Sequence, residues 1–361
     1  MSAAAGAEQA FRAYSADVRA YLDRIYDESL REYAFHGSTA DDVAEWQRRA
    51  RPALRRLIGL EAMDAALGRH RPSVELGEEE DLGAYTRRHG RLLVEPNVWI
   101  PFWLLAPRGR GPFPLALTPH GHDSRGHDTS AGIAADEAHA AIIREEDRDV
   151  AVQAVRRGFL AIAPATRGIS ADGVPDIHGW HGNRDCHSQL VHCLLAGRTA
   201  IAERVWDMGR FLDWALAELP VDRRFVLMLG NSGGGMITTY AAACDERIGT
   251  AIPSCSFSLY VRPDGKVSHC TCNTVPGILR FGEFYDVAGL ISPRHLLLVT
   301  GRHDPLHVPA HVDMAVARLR RIYEAAGAGE RFEHRYGEAG HRFYADLMWP
   351  FVDRAMAELK G

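Results

Sequence analysis

Phe225-Val226-Leu227-Met228-Leu229 runs without a break into Gly230-Asn231-Ser232-Gly233-Gly234, and a small-residue stretch begins at Gly235. The five apolar residues suit a strand covered on both faces. Beyond the turn, Gly235–Cys244 reads as a helix. A serine held between such a strand and such a helix sits on a sharp turn that forces a strained backbone, so its neighbours must be small. The G-x-S-x-G spacing supplies that condition, and Ser232 is the expected nucleophile.

Working outward, apolar runs alternate with helical patterns. Strands are expected at Phe159–Ala163, Thr250–Pro253, Leu296–Thr300 and Arg331–Tyr336, and helices at Thr199–Leu219, Val308–Ala325 and Phe343–Leu359. Upstream, Val74–Leu76, Tyr85–Val94, Val98–Leu105 and Phe113–Thr118 also read as strands, the first of them leading the sheet in antiparallel fashion. The alternation predicts an α/β fold, a mostly parallel central sheet with helices on both faces, and the serine turn between strand and helix makes the α/β-hydrolase fold the expected form. Residues 1–70 read as a helical N-terminal extension and 71–361 as the catalytic domain. In the extension, Phe11, Tyr14, Val18, Leu22 and Ile25 form one helical stripe. Ser38 with Asp41 suggests a capped second helix, and Pro52 a kink or a new helix, Ala53 to Leu60. The basic run Arg48, Arg49, Arg51, Arg55 and Arg56 is expected to be a solvated face.

A serine hydroxyl needs a base, and the base an acid to orient it, in the chain order Ser, Asp or Glu, His. Asp304 lies just past the strand Leu296–Thr300, and His341 lies between the next strand and the last helix. These are the expected acid and base, with Glu338 and Asp286 as reserve acids. The oxyanion hole should take one N–H from Gly233 and a second from the loop Thr118-Pro119-His120-Gly121-His122-Asp123, at His122. His120 is expected to hold that loop by hydrogen bonds.

Two metal readings compete. His120, His122, Asp123, His127 and Asp128 form a ligand-rich stretch, but a metal there would need distal ligands and would make the serine machinery redundant. His269-Cys270-Thr271-Cys272 suggests zinc, but the sequence holds no second C-x-C or C-x-x-C to complete four ligands. The expectation is therefore buried thiols and neither metal nor organic cofactor.

For substrate binding, Trp180 and His181 lie in the segment Asp176 to His187; Trp180 would stack on a sugar ring or else cap the core. Phe257 and Tyr260 follow a strand and are similar candidates. The polar insertion Ser124 to Asp149 would serve as a lid or a subunit contact, and the helical extension as the surface of a homo-oligomer.

The chain has 361 residues, 46% hydrophobic and 25% charged, with a formal charge of -5, which argues against nucleic acid as a partner. No run approaches the roughly 20 apolar residues of a membrane span, and the N-terminus lacks the basic start and apolar stretch of a secretory signal. The six scattered cysteines read as reduced thiols, and a cytoplasmic location is expected.

Taken together, the motifs resemble the bacterial α/β-hydrolases grouped with acetyl xylan esterases and dienelactone hydrolases, from about residue 75 to the C-terminus. Leu194-Leu195-Ala196-Gly197-Arg198-Thr199 with Glu203-Arg204-Val205-Trp206-Asp207 is similar to their helix before the nucleophile strand. Ser254-Cys255-Ser256-Phe257 and His269-Cys270-Thr271-Cys272-Asn273 with Val275-Pro276-Gly277 resemble two further segments of these proteins. The resemblance implies a carboxylic-ester hydrolase with Ser232, Asp304 and His341 at the triad positions. Dienelactone hydrolases proper carry a cysteine nucleophile where this chain has serine, so a short acyl ester of a small molecule or sugar, or a lactone, is the expected substrate. A serine peptidase of prolyl-oligopeptidase type and a non-catalytic binding protein are the alternatives.

Overall fold

The computed structural model describes residues 15–123, 125–170, 173–261, 265 and 267–358. Nine strands form one sheet: β1 (Ser73–Asp81), β2 (Tyr85–Glu95), β3 (Val98–Pro107), β4 (Phe113–Leu117), β5 (Leu160–Pro164), β6 (Val221–Asn231), β7 (Thr250–Ser254), β8 (His295–Gly301) and β9 (Phe332–Gly337). Their order is β1-β2-β3-β5-β4-β6-β7-β8-β9. β1, β2, β3 and β5 pair antiparallel in turn, and every pairing from β5 through β4 to β9 is parallel.

Side-chain alternation divides the core in two. Leu115 and Leu117 of β4, Val226 and Met228 of β6, and Leu296 and Leu298 of β8 face one layer. Ala116, Phe225, Leu227, Leu229, Leu297 and Val299 face the other. The first layer is covered by the helices Ala40–Ile58, Ala200–Glu218, Gly233–Cys244 and Pro309–Ala325, and the second by Val150–Arg156 and Ala345–Glu358. Burying one leucine of these strands stabilises the fold by about 1.5–3 kcal/mol, so a sheet sealed on both sides is rigid enough to position loops at its edge.

Several N-terminal expectations shift. The cap of the second helix is Thr39 with Asp42, one residue later than expected, and both hydrogen bonds of the capping box form. Pro52 does not start a new helix, because one helix runs unbroken over Ala40–Ile58. Arg48 and Pro52 are both exposed, so the lost backbone bond falls on the solvent side of the helix. The basic run is only half solvated. Arg48, Arg49 and Arg56 are exposed. Arg51 instead donates to the Ala243 carbonyl at 2.7 Å and Arg55 to that of Cys244 at 3.1 Å, docking the helix onto the end of Gly233–Cys244. The first described helix, Ala16–Ile25, buries no residue, and the expected stripe positions Phe11 and Tyr14 lie outside the described residues. Among the described residues no helix is long and apolar enough to cross a membrane.

Candidate active site at the sheet edge

The motif serine occupies the conformation its context predicts. Ser232 has φ 58° and ψ -122°, a sparsely populated region for a residue with a Cβ, costing about 1–3 kcal/mol. Its N–H donates to Ser254 O at 2.9 Å and its carbonyl accepts from Met236 N at 3.0 Å, which over-determines the turn. A Cβ on Gly230 would lie 2.6 Å from Pro119 O, and one on Gly234 only 2.1 Å from the same atom. The two outer motif glycines therefore let the β4 loop approach the elbow.

Asp304 and His341 meet because the loops after β8 and β9 zip together. Arg302 N donates to Gly337 O at 2.8 Å and His303 N to Ala339 O at 3.0 Å. His341 Nδ1 then lies 2.7 Å from Asp304 Oδ2. The carboxylate also accepts from Leu306 N at 2.9 Å and faces His307 Nδ1 at 3.3 Å. Burial works against its charge, but the hydrogen bonds from His307 and His341 outweigh burial and hold the carboxyl below its ordinary range. The reserve acids are engaged elsewhere: Glu338 pairs with Arg302, while Asp286 accepts from Phe35 N and Glu283 N. Ser232 and His341 line a common cavity of about 250 Å³ with Asn231, the 118–123 loop and Phe343. Beneath the pair, Cys255 is buried at φ 44°, and burial first, then Asp304, pushes its thiol up to about 11.

The loop after β4 reaches the elbow as expected. A Cβ on Gly121 would stand 2.8 Å from Gly233 N, so only glycine permits this approach. His120 holds the loop from within. Its Nε2 accepts from Thr166 N at 3.0 Å, which leaves the proton on Nδ1 to donate to Gly121 O at 2.8 Å. Burial pushes His120 down to about 4, so it stays neutral near pH 7. The Thr166–Ser170 segment that His120 grips is anchored in turn by Arg167. That guanidinium is buried against Glu95, Glu203 and Asp207, with Nε 3.1 Å from Asp207 Oδ2. Burial opposes its charge, and the three carboxylates override burial and raise it. The residues that resemble a helix before the nucleophile strand thus serve as a buried ionic clamp, a role their spacing did not disclose.

A second cavity of about 640 Å³ opens on the other side of Ser232, lined among others by His122, Asn183, Cys186, Met236, Cys270 and His307. The expected substrate contacts do not line it. Trp180 is 85% exposed and packs only loosely on His178, with ring centroids 5.9 Å apart, so it does not cap the core either. His181 is tied back through its N–H to Asp176, and Asn183, Arg184 and Asp185 reach the cavity instead. Phe257 and Tyr260 are core residues. Phe257 stacks on Phe284 at 5.4 Å, and Tyr260 bonds to the Tyr240 hydroxyl; their neighbours Cys255 and Ser256 face the cavity.

The histidine-rich stretch that the sequence offered as a rival metal reading disperses. Asp123 accepts from Thr129, Asp128 from Trp103 and Arg125, and His120 is committed to Thr166 and Gly121. The reason for setting zinc aside at Cys270 and Cys272 fails, however. The structure brings Cys186 and His122 to them, and the four side chains offer ligand atoms all within 4.8 Å of one another. Neither partner had a spacing signal. The adjacent pairs Cys186-His187 and His269-Cys270 were the compositional hint.

No family model matches the chain. Among curated proteins it is 25% identical over 151 residues to "Putative hydrolase YtaP" of Bacillus subtilis (strain 168), covering 41% of this chain and only 50% of that relative's length. Among solved structures, one described as "a putative acetyl xylan esterase" from Bacteroides fragilis NCTC 9343 superposes with a TM-score of 0.72 at 14% identity, covering 94% of this chain and 95% of that one. A glucuronoyl esterase from Solibacter usitatus gives a TM-score of 0.61 at 15% identity, with coverages of 87% and 93%. Methylesterase BT1017 gives 0.61 at 20% identity, with coverages of 96% and 69%. At such identities the likeness is one of fold, and with the strand order and the elbow above it shows that this chain is built on the α/β-hydrolase fold.

Proposed function

We propose that the protein hydrolyses a carboxylic ester through an acyl-enzyme on Ser232. The observation that carries the reading is the strained Ser232 turn opening into a cavity that His341 also lines, with buried Asp304 behind that histidine at 2.7 Å. In this mechanism His341 takes the Ser232 proton through Nε2, and the serine oxygen attacks the ester carbonyl. Backbone N–H groups of Gly233 and His122 receive the developing oxyanion. Asp304 keeps the Nδ1–H tautomer of His341 and stabilises its cation, which then protonates the departing alcohol. Water, deprotonated by His341, releases the acid. None of these steps requires an organic cofactor.

The substrate in this reading is a short acyl ester, of acetyl type, on a small molecule or sugar. The polar rim of Asn183, Arg184 and Asp185 beside an apolar wall of Met236 suits an alcohol part bearing hydroxyls. The ester-cleaving names of the structural neighbours support the reaction class. Two other readings, a peptidase and a binding protein on the same fold, are separated by one experiment: turnover of p-nitrophenyl acetate, longer acyl esters and a peptide anilide by wild type and Ser232→Ala. Ester turnover abolished by Ser232→Ala, with no anilide cleavage, supports the esterase. Anilide cleavage favours the peptidase, and no serine-dependent turnover with no labelling by a fluorophosphonate favours the binding protein.

A further inference from the structure

His122, Cys186, Cys270 and Cys272 come from three separate parts of the chain: the loop after β4, the first turn of the helix Asp185–Leu195, and the short 3-10 turn Thr271–Asn273. Their four ligand atoms lie within 4.8 Å of one another, and His122 Nε2 is 3.3 Å from Cys272 Sγ. Around a tetrahedral zinc, with Zn–S near 2.3 Å and Zn–N near 2.0–2.1 Å, donor atoms stand about 3.5–3.8 Å apart. With every pair inside 4.8 Å, the cluster lies within about 1 Å of that scale. All three cysteines are free thiols.

A second observation points to charge at this place. Arg204 is fully buried, and among the described residues no carboxylate forms an ion pair with it. Its hydrogen bonds go to Cys272 Sγ at 3.3 Å, Asn273 Oδ1 at 2.9 Å and the Arg167 carbonyl at 3.2 Å, and its Nη2 has no partner. A buried guanidinium without a counter-charge is costly. Three thiolates and one neutral imidazole around a divalent ion carry a net single negative charge, which Arg204 balances. His187 Nε2, 3.6 Å from Cys270 Sγ, is a further donor toward the sulfurs. Partners of this kind outside the ligand set are what metal-bound sulfurs ordinarily acquire.

We propose that His122, Cys186, Cys270 and Cys272 bind one zinc ion in a closed tetrahedral site in the wall of the cavity beside Ser232. Three thiolates and an imidazole form a soft donor set that favours zinc over magnesium or calcium, and four protein ligands leave no open position for catalysis. The ion is therefore structural. It ties the β4 loop to the helix Asp185–Leu195 and to the turn at Cys272, and so fixes where the His122 backbone stands. It also fixes the tautomer: with Nε2 on the metal, the His122 proton sits on Nδ1, the nitrogen 3.4 Å from the Cβ position of Gly233. The metal site rests on the cluster alone, whereas its positioning of the oxyanion donor rests on the esterase reading above.

The test is the metal content of wild type and Ser232→Ala, expressed with zinc, purified with reduced thiols and dialysed against metal-free buffer. One zinc per chain in both is expected, released in step as an organomercurial consumes three thiols. Cobalt put in its place should show sulfur-to-metal charge-transfer absorption. Cys186→Ser and Cys272→Ser should lose the ion and Cys244→Ser should keep it; the thiol titration of wild type decides the matter even where a variant does not fold. Background zinc with all six thiols reactive overturns the site. So does a pair of thiols that reacts only after reduction, because a disulfide would then occupy the cluster. For the positioning role, stripping zinc from wild type should lower kcat about tenfold with little change in KM, and returning zinc should restore it. An unchanged kcat overturns that role while leaving the metal count standing. Absence of any serine-dependent turnover defeats the esterase reading without touching the metal count.

Discussion

Two histidines line the cavities at Ser232, and they are held in different ways. His341 rests on Asp304, and both stand in loops that directly follow parallel neighbouring strands, β9 and β8. A buried cysteine, Cys255, lies beneath them, with a thiol pushed up to about 11 that stays protonated near pH 7. His122 rests on Cys272 in a cluster with Cys186 and Cys270, gathered from segments that are distant in the chain and not strand neighbours. In the proposed mechanism the first side moves a proton, with Asp304 orienting an imidazole that lines the serine cavity. The second, in the proposed zinc site, stays still, with Arg204 buried beside the sulfurs. The proposed reaction needs both, a base that changes charge and donors that do not move while it does.

The largest effect should come from breaking the mobile side. Ser232→Ala should lower kcat for p-nitrophenyl acetate by about 10⁴-fold or more, measured per mole of folded protein and with no fluorophosphonate labelling of the variant. Asp304→Asn should cost roughly 10⁴-fold, chiefly in kcat, by releasing the His341 tautomer. The same variant carries a pH signature. Asp304 is held below its ordinary range in the fold, so it contributes stability above the unfolded carboxylate pKa and loses it as pH falls through the depressed value. Urea unfolding of wild type from pH 6 toward pH 2 should show that acid-side loss, on the order of 2 kcal/mol, and Asp304→Asn should lack it.

Breaking the boundary between the two sides should cost less. Gly121→Ala drives a Cβ to 2.8 Å from Gly233 N. Displacing that donor should reduce kcat by about 10²-fold, with about 1–3 kcal/mol of destabilisation in thermal melts. Phe257→Ala sharpens the contrast between core and cavity: a loss of roughly 3–5 kcal/mol in unfolding, with KM unchanged where the variant remains folded. The smallest effect belongs to Trp180→Ala, which should move KM by no more than about twofold because the ring is exposed and lines neither cavity. A large rise in KM would return Trp180 to the substrate site.

The elbow was readable because its cause is local. An apolar strand, a turn too tight for side chains and a small-residue helix all act within a dozen residues, and the alternation in β4, β6 and β8 follows from a period of two. Asp304 and His341 were singled out by the same means, as loop residues just past strand ends, and the structure brings them to 2.7 Å of each other. Phe257 and Tyr260 were misplaced because leaving a strand end does not reveal which way the chain turns next; here it turns into the core against Phe284. Pro52 and Arg51 were misjudged for a related reason, since exposure of one helix face depends on what packs against it.

The sequence by itself determined the sheet, the placing of Ser232, Asp304 and His341 just past strand ends and the need for glycine at 230 and 234. Only the tertiary structure decided that His122, Cys186, Cys270 and Cys272 share one site and that Arg204 is buried beside it. Each of those contacts joins elements whose meeting depends on how helices cross the sheet, and the lone His122 and Cys186 leave no spacing to read beside the Cys270–Cys272 pair. Local sterics write themselves into neighbouring residues; long-range packing does not.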